Sequence, residues 1–242
     1  MPVSLKNQVA LVIGASSGIG RATAVQLAQE GVSVMAAARR LDRLRELESE
    51  LTAQGLKVAV SEADAAKAAD MRRLAKETRD QFGKINILVY ATGTNTPDRS
   101  MRRLRPEIWD TLIQVNLNGA YYATDAVLSE MREARSGYLI YVSSISGLSP
   151  DVSGAAYQAS KRGLVGFAHA IRMEERENGI RTSVVCPGLV NTEILEKRPV
   201  KPSAETLAKA LLADDVAELI VGIAKLNPRV DIPEVQITPA YL

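Results

Sequence analysis

Three side chains suited to proton transfer lie close together in the second half of the sequence. A hydroxyl, Ser144, is followed by a phenol, Tyr157, and then, four residues further on, by an ammonium, Lys161. If the chain is helical from Ala155 onward, residues four apart share a face, so Tyr157 and Lys161 project side by side. A phenol has a pKa near ~10 in isolation, and a neighbouring cation lowers it. The spacing therefore predicts a general acid–base pair, with Ser144 placed to hydrogen-bond the reacting oxygen.

A glycine-rich turn near the N-terminus predicts a phosphate-binding site. Residues 8–13 form an apolar run typical of a buried parallel strand, residues 14–20 (GASSGIG) form the turn, and residues 21–30 have helical spacing. Glycine also serves ordinary tight turns, so the strand–turn–helix setting carries the prediction. In that setting the backbone approaches a pyrophosphate and the helix N-terminus supplies free N–H groups.

The end of the second predicted strand indicates which dinucleotide this site would bind. Residues 32–38 predict a strand, and Arg39 and Arg40 follow it with no carboxylate before Asp42. In dinucleotide-binding folds an acidic residue here binds the ribose 2′-hydroxyl, whereas an arginine accommodates a 2′-phosphate. The alternative is that both arginines are simply solvated at the start of the helix predicted over 41–53. Given a nucleotide site, the pattern favours NADP over NAD.

Strand and helix alternate along the rest of the chain. Further strands are predicted over 57–61, 85–91, 137–142, 180–185 and 234–238, and helices over 65–82, 107–134, 154–178 and 214–226. Asn116 and Gly119 are unfavourable inside the helix 107–134, which leaves it open to a kink. The charged segment 193–202 contains prolines and is interpreted as a mobile lid. The alternation predicts an α/β fold, a parallel sheet with helices on both faces, formed as one domain over 1–242.

Composition limits the classes of function. The 242 residues carry a formal net charge of +2, too small to indicate a nucleic-acid partner. The one cysteine, Cys186, excludes an internal disulfide and fits a reducing compartment. No apolar stretch approaches the ~18 residues of a membrane span, and the N-terminus lacks the apolar core of a signal peptide. A cytoplasmic protein with no membrane partner and no metal site is expected.

These motifs together resemble the short-chain dehydrogenase/reductase family, in its compact group of about 250 residues. Residues 14–20 are similar to the family's TGxxxGxG turn, with Ile13 at the usual threonine. Ser144 and the YxxxK of Tyr157 and Lys161 are similar to the family's catalytic residues. One departure is that residues 90–93 read YATG instead of NNAG, which leaves the family's usual contacts at this point open.

The resemblance implies a doubly wound Rossmann-type fold with a seven-stranded parallel sheet, and an NADP-dependent oxidoreductase acting on an alcohol or carbonyl substrate. The catalytic residues it implies are Asn116, Ser144, Tyr157 and Lys161. Asn116 would anchor a proton-relay water, and Lys161 would also hold the nicotinamide ribose. Asp64 would contact the adenine. The cofactor-binding residues expected in all are Gly14, Ser16, Ser17, Gly18, Ile19, Gly20, Arg39, Arg40, Asp64, Ala65, Ala91, Gly93, Tyr157, Lys161, Pro187, Gly188, Val190 and Thr192.

A narrower likeness concerns the substrate. Residues 227–239 resemble a subgroup that includes NADP-dependent dehydrogenases of 3-hydroxy acids such as serine and allo-threonine, so a small 3-hydroxy or 3-keto acid is an expected substrate. Substrate loops are expected at about 93–105 and 188–211. Basic residues in these loops either receive a carboxylate or are solvated: Arg99, Arg102, Arg103, Lys197, Arg198 and Lys201.

Helices 107–134 and 154–178 resemble the pair through which family members form homodimers and homotetramers, so a homo-oligomer is expected. Two other functions are considered. A non-catalytic NADPH-sensing protein would have no need of Ser144, Tyr157 and Lys161 together. An isomerase or dehydratase of nucleotide sugars, from the longer branch of the superfamily, is disfavoured by the glycine spacing and by the absence of a C-terminal substrate domain.

Overall fold

The computed structural model describes residues 2–241, in which strands and helices alternate as the sequence predicts. The strands are β1 (Val9–Ile13), β2 (Ser33–Ala38), β3 (Val58–Glu62), β4 (Ile87–Tyr90), β5 (Gly137–Val142), β6 (Ile180–Pro187) and β7 (Glu234–Ile237). The α-helices are α1 (Gly18–Gln29), α2 (Leu41–Ala53), α3 (Ala68–Phe82), α4 (Pro106–Ile113), α5 (Gly119–Ala134), α6 (Ala155–Glu175), α7 (Ala204–Lys209) and α8 (Ala213–Ala224). Every helix in this part of the chain is too short or too polar to span a lipid bilayer.

The strands form one seven-stranded sheet in the order β3-β2-β1-β4-β5-β6-β7, and every pairing is parallel. The order reverses direction at β1 and β4, so the glycine turn after β1 lies beside the end of β4. Ligands bind at this kind of switch point in open α/β sheets. The predicted Rossmann-type fold with a seven-stranded parallel sheet is confirmed.

Two apolar layers hold the helices against the sheet. In β1, Ala10 and Val12 point into the layer shared with α1, α2 and α8, whereas Leu11 and Ile13 point into the layer shared with α3, α5 and α6. Alternate residues of a strand face opposite sides, and both sides of this sheet are covered. That is why the strands read as continuous apolar runs and not as alternating ones.

The helix predicted over 107–134 is interrupted in the structure. It consists of α4, a π-helix over Gln114–Asn118 and α5, which follow one another without a break. A π-helical turn inserts an extra residue into an α-helix and is frequent at functional sites. Asn116 lies inside this turn, so the irregularity falls at the part of the helix where the sequence leaves a kink open.

The segment between β6 and α8 lies outside the sheet and is closed by one isolated bridge. Val190 and Leu211 form a parallel bridge, with Asn191 N donating to Leu211 O at 2.8 Å. The residues enclosed by this bridge include a 3₁₀ segment, Glu193–Lys197, and the short helix α7, which the sequence does not predict. The predicted lid therefore contains regular structure.

Candidate active site

The predicted site residues lie around one cavity at the carboxyl ends of the strands. Its volume is about 430 Å³, and all the predicted site residues line it except Gly20 and Asn116. Gly20 lies within α1, and Asn116 lies behind the cavity wall in the π-helix. In residues 2–241 no group of His, Cys, Asp or Glu side chains is arranged to hold a metal ion.

The glycine turn brings three segments of backbone together. Gly14 has φ +95°, and a Cβ there would lie 2.9 Å from the backbone of Ala91 and Thr92. A Cβ on Gly20 would overlap the Gly14 carbonyl oxygen. The first turn of α1, after its N-cap Ser17, contains no acidic residue that would compete for its free N–H groups. This cradle fits a dinucleotide diphosphate.

Thr92 gives a second indication that the cavity fits a polar ligand. Its hydroxyl oxygen is buried and has no hydrogen-bond partner within the described part of the protein. Buried hydroxyls are normally satisfied, and an exception calls for an explanation such as a ligand. Thr92 lines the same cavity as the glycine turn.

Arg39 and Arg40 differ in their surroundings. Arg40 precedes α2, and its side chain contacts the glycine turn. Its Nη2 donates to Ser17 Oγ at 2.7 Å and to Ser16 Oγ at 3.1 Å. Its Nη1 donates to the Glu193 carboxylate at 2.8 Å. Arg39 is exposed and lines the cavity. The Arg40 guanidinium group therefore lies beside the turn, and Arg39 lines the same cavity, where the sequence predicts a 2′-phosphate.

Lys161 is 3% exposed and has no carboxylate partner in residues 2–241. Its Nζ donates to the Val142 carbonyl at 2.9 Å and lies 5.9 Å from the centre of the Tyr157 ring. Burial lowers the pKa of Lys161 to about 8, although the negative potential of Cys186 raises it slightly. The YxxxK spacing on α6 thus brings the ammonium and the phenol together, as predicted.

The pKa of Tyr157 moves in the direction opposite to the one predicted. Burial raises it, and the hydrogen bond from Ser144 only partly offsets that increase. The charges of Arg198 and Arg99 also lower the pKa of the phenol, without reversing the increase. Removal of water from around the phenol outweighs the attraction of these cations.

Ser144 caps the 3₁₀ turn Ile145–Gly147, which the sequence does not predict. Its Oγ accepts from Ser146 N at 3.1 Å and lies 3.2 Å from Ser146 Oγ, which in turn donates to Asp151. Burial alone would raise the pKa of Asp151, but hydrogen bonds from Ser146 and Ser153 lower it overall. An ionised Asp151 therefore anchors Ser146, and Ser146 fixes the Ser144 hydroxyl.

Asn116 is fully buried, and its side-chain amide makes three hydrogen bonds. Oδ1 accepts from Thr94 N at 2.8 Å, while Nδ2 donates to Thr94 O and to Ser160 Oγ, both at 3.0 Å. Asn116 therefore ties the loop after β4 to α6. The proton-relay water expected at Asn116 stays a prediction. Thr94 and Ser160 were not found by sequence reasoning, since nothing in their spacing marks them.

Tyr90, the first residue of the YATG departure, has a defined contact. Its hydroxyl is buried and donates to the Val115 carbonyl at 2.5 Å, directly beside Asn116 in the π-helix. A Cβ on Gly119, the first residue of α5, would overlap this hydroxyl, so a glycine is needed at this position to accommodate the tyrosine. Tyr90 thus links the end of β4 to the turn that holds Asn116.

Three cations border the cavity on the substrate side. Arg99 Nη2 donates to Lys197 O at 3.0 Å, and Lys197 Nζ donates to Thr94 Oγ1 at 2.5 Å. Burial lowers the pKa of Arg99, and the charge of Arg198 lowers it further. Arg198 lines the cavity, and its charge acts on Tyr157 and Asp151. The loop after β4 and the segment Glu193–Lys197 therefore meet at the cavity that Tyr157 lines.

Comparison with known proteins identifies the family. The family model for short chain dehydrogenases matches residues 8–202. The chain is 33% identical over 233 residues to a 3-oxoacyl-[acyl-carrier-protein] reductase FabG of Staphylococcus epidermidis, covering 89% of this chain and 95% of that protein. It is 32% identical over 196 residues to an uncharacterised oxidoreductase of Listeria innocua, covering 80% of this chain and 79% of that protein.

Solved structures agree with this assignment. A serine dehydrogenase complexed with NADP+ superposes with a TM-score of 0.89 at 29% identity, covering 97% of this chain and 96% of that one. A metagenomic short-chain oxidoreductase in complex with NADP has a TM-score of 0.85 at 31% identity, covering 99% and 100%. The family model, the fold and these matches agree, and the chain belongs to the short-chain dehydrogenase/reductase family of oxidoreductases.

Proposed function

We propose that this protein is an NADP-dependent oxidoreductase that interconverts an alcohol and a carbonyl compound. The observation that carries the proposal is that Tyr157, Lys161 and Ser144 line the same cavity as the glycine turn and the arginines after β2. A protein that only binds a nucleotide has no need of this acid–base group. The NADP-bound state of two similar structures supports the choice of cofactor.

The glycine turn and α1 would hold the diphosphate, and Arg39 and Arg40 would hold the 2′-phosphate. Asp64 and Ala65 would hold the adenine end, and residues 187–192 would hold the nicotinamide end. Ala91 and Gly93 border the same groove. When bound, the nicotinamide ring supplies or accepts the hydride.

The chain's own residues manage the proton. Burial keeps the pKa of Tyr157 above its ordinary value, so the phenol is protonated at neutral pH and can donate to a carbonyl oxygen as that oxygen gains charge. Ser144 Oγ, fixed by Ser146, donates a second hydrogen bond to the same oxygen. Lys161, with a pKa of about 8, exchanges protons near neutral pH and can return one towards Tyr157.

We propose a small 3-hydroxy or 3-keto acid as the substrate. Arg198 borders the cavity close enough for its charge to influence Tyr157, and the described side chains form no salt bridge with it. A carboxylate bound there would place the neighbouring carbons near the phenol. The similarity to a serine dehydrogenase supports this substrate class. We also propose that the protein is cytoplasmic and that it forms a homodimer or homotetramer.

The test compares turnover with binding. Wild type and Tyr157→Phe are assayed for NADPH oxidation against a panel of 3-keto acids and neutral ketones, and NADPH binding is titrated by fluorescence. We expect turnover in the wild type, a loss of at least about 100-fold in Tyr157→Phe, and similar NADPH affinity in both. Tight binding without turnover of any carbonyl compound would favour the NADPH-sensing alternative instead.

A further inference from the structure

Glu193 connects the lid to the arginines beside the glycine turn. It is the first residue of the 3₁₀ segment Glu193–Lys197, directly after Thr192. One carboxylate oxygen accepts from Arg40 Nη1 at 2.8 Å, and the other accepts from Arg43. Both of its oxygens are therefore engaged by guanidinium groups at the start of α2.

The same Arg40 is also held by the phosphate-binding turn. Its Nε lies 3.2 Å from Ser16 Oγ and its Nη2 lies 2.7 Å from Ser17 Oγ. Arg40 thus lies between the turn on one side and Glu193 on the other. An anion that enters beside the turn and binds Arg40 must share it with a carboxylate or displace that carboxylate.

We infer that Glu193 is a cofactor-specificity residue whose carboxylate competes with the 2′-phosphate of NADP(H) for Arg40. This inference rests on the proposed use of NADP(H). Carboxylate and phosphate present similar pairs of oxygens to a guanidinium group, so the two anions are rivals for the same donors. Two anions held close together also repel each other. Glu193 therefore lowers the affinity for NADP(H), while NAD(H), which has no 2′-phosphate, does not experience this competition.

The expected effect is modest because the ion pair is partly solvated. The side chains of Arg40 and Glu193 are 40% and 48% exposed. Arg43 and Arg40 lower the pKa of Glu193 by their hydrogen bonds, so the carboxylate is charged at neutral pH. Exposed ion pairs have small net strengths, and removing this competitor should tighten NADPH binding by about fivefold.

A matched pair of variants tests the inference. Wild type, Glu193→Gln and Glu196→Gln are each titrated with NADPH and with NADH, following cofactor fluorescence. Glu196 lies in the same 3₁₀ segment but pairs with Lys201, so Glu196→Gln removes the same charge without touching Arg40. We expect Glu193→Gln to bind NADPH about fivefold more tightly than wild type. The control variant, and all NADH affinities, should stay within about twofold of wild type.

The outcomes separate this inference from the proposed function. If the wild type binds NADPH no more tightly than NADH, the proposed cofactor preference is wrong. If the wild type prefers NADPH but Glu193→Gln leaves its Kd unchanged or weakens it, the competition is wrong. Equal tightening by Glu196→Gln would point to general charge repulsion and would also overturn it. Melting temperatures of the three proteins, measured in parallel, verify that each variant is folded.

Discussion

Replacing Tyr90 by phenylalanine should damage catalysis more than its effect on stability explains. The change removes one hydroxyl, which donates to the Val115 carbonyl at 2.5 Å and is completely buried. Val115 directly precedes Asn116, whose amide joins Thr94 to Ser160. Without the tyrosine hydroxyl, the π-helix loses its link to β4, and the alignment of the catalytic residues around Asn116 is relaxed.

The size of the effect follows from the burial of this hydrogen bond. A carbonyl left unsatisfied in the core costs about 1–3 kcal/mol, so the free energy of unfolding of Tyr90→Phe should fall by that amount. Displacements near 1 Å in a catalytic group can cost up to about 100-fold in rate, and the partial relaxation expected here should lower kcat by about tenfold. The affinity for NADPH should change little.

Tyr141 provides a matched control. It is the register partner of Tyr90 in β5, is also fully buried, and its hydroxyl lies 2.6 Å from Thr124 Oγ1, a contact with no catalytic residue. Urea unfolding and steady-state kinetics are measured for both phenylalanine variants. We expect similar losses of stability, and a fall in kcat in Tyr90→Phe alone. Equal kcat values in the two variants would refute a positioning role for Tyr90.

Three further predictions concern charged groups. Burial lowers the pKa of Lys161 from 10.5 to about 8, so the unfolded chain binds the extra proton between these values and wild-type stability should rise with pH across them. Relative to Lys161→Met in urea unfolding, the wild type should therefore gain about 3 kcal/mol between about pH 7 and about pH 10. Arg198→Ala should raise KM for a 3-keto acid about tenfold and leave KM for its methyl ester unchanged, with Arg102→Ala as the exposed control. Arg39→Ala should weaken NADPH at least about tenfold in a fluorescence titration, with NADH scarcely affected.

Each of these has a contrary result. Parallel pH profiles for wild type and Lys161→Met would mean that Lys161 is not desolvated as the structure indicates. Equal changes in KM for the acid and the ester would mean that Arg198 does not bind the substrate carboxylate. If Arg39→Ala leaves NADPH binding intact and Arg40→Ala abolishes it, the 2′-phosphate contact belongs to Arg40, whose guanidinium group contacts the glycine turn.

The fold could be predicted almost completely because each of its determinants is local. The helix α2 and the strand β5 have the predicted ends, since a run of apolar or amphipathic spacing begins and stops at those residues. The short helix α7 was not predicted, because six residues with no buried member give no periodic apolar signal. The π-helix was not predicted either, since its register depends on Tyr90, a residue distant in sequence.

The sequence could predict which residues line the cavity and only partly its electrostatics, and the roles of those residues stay predictions. The spacing of Tyr157 and Lys161 on one helix places them together, because helical geometry alone decides it. The pKa of Tyr157 could not be predicted from that pair, since it depends on how much water the surrounding loops exclude. The partners of Asn116 were missed for a related reason: Thr94 lies in a loop with no pattern, and its contact is tertiary.

The bridge between Val190 and Leu211 gives the protein a natural site for changes in its substrate range. The residues it encloses take no part in the seven-stranded sheet, so the pairing of the strands does not depend on their number or sequence. The entropy of closing such an excursion grows only slowly with its length. Residues 199–210 could thus be exchanged as a cassette between relatives, while Thr192, which lies against Gly18, stays in place beside the glycine turn. Divergence within this architecture can proceed by loop exchange, without any redesign of the core that supports the chemistry.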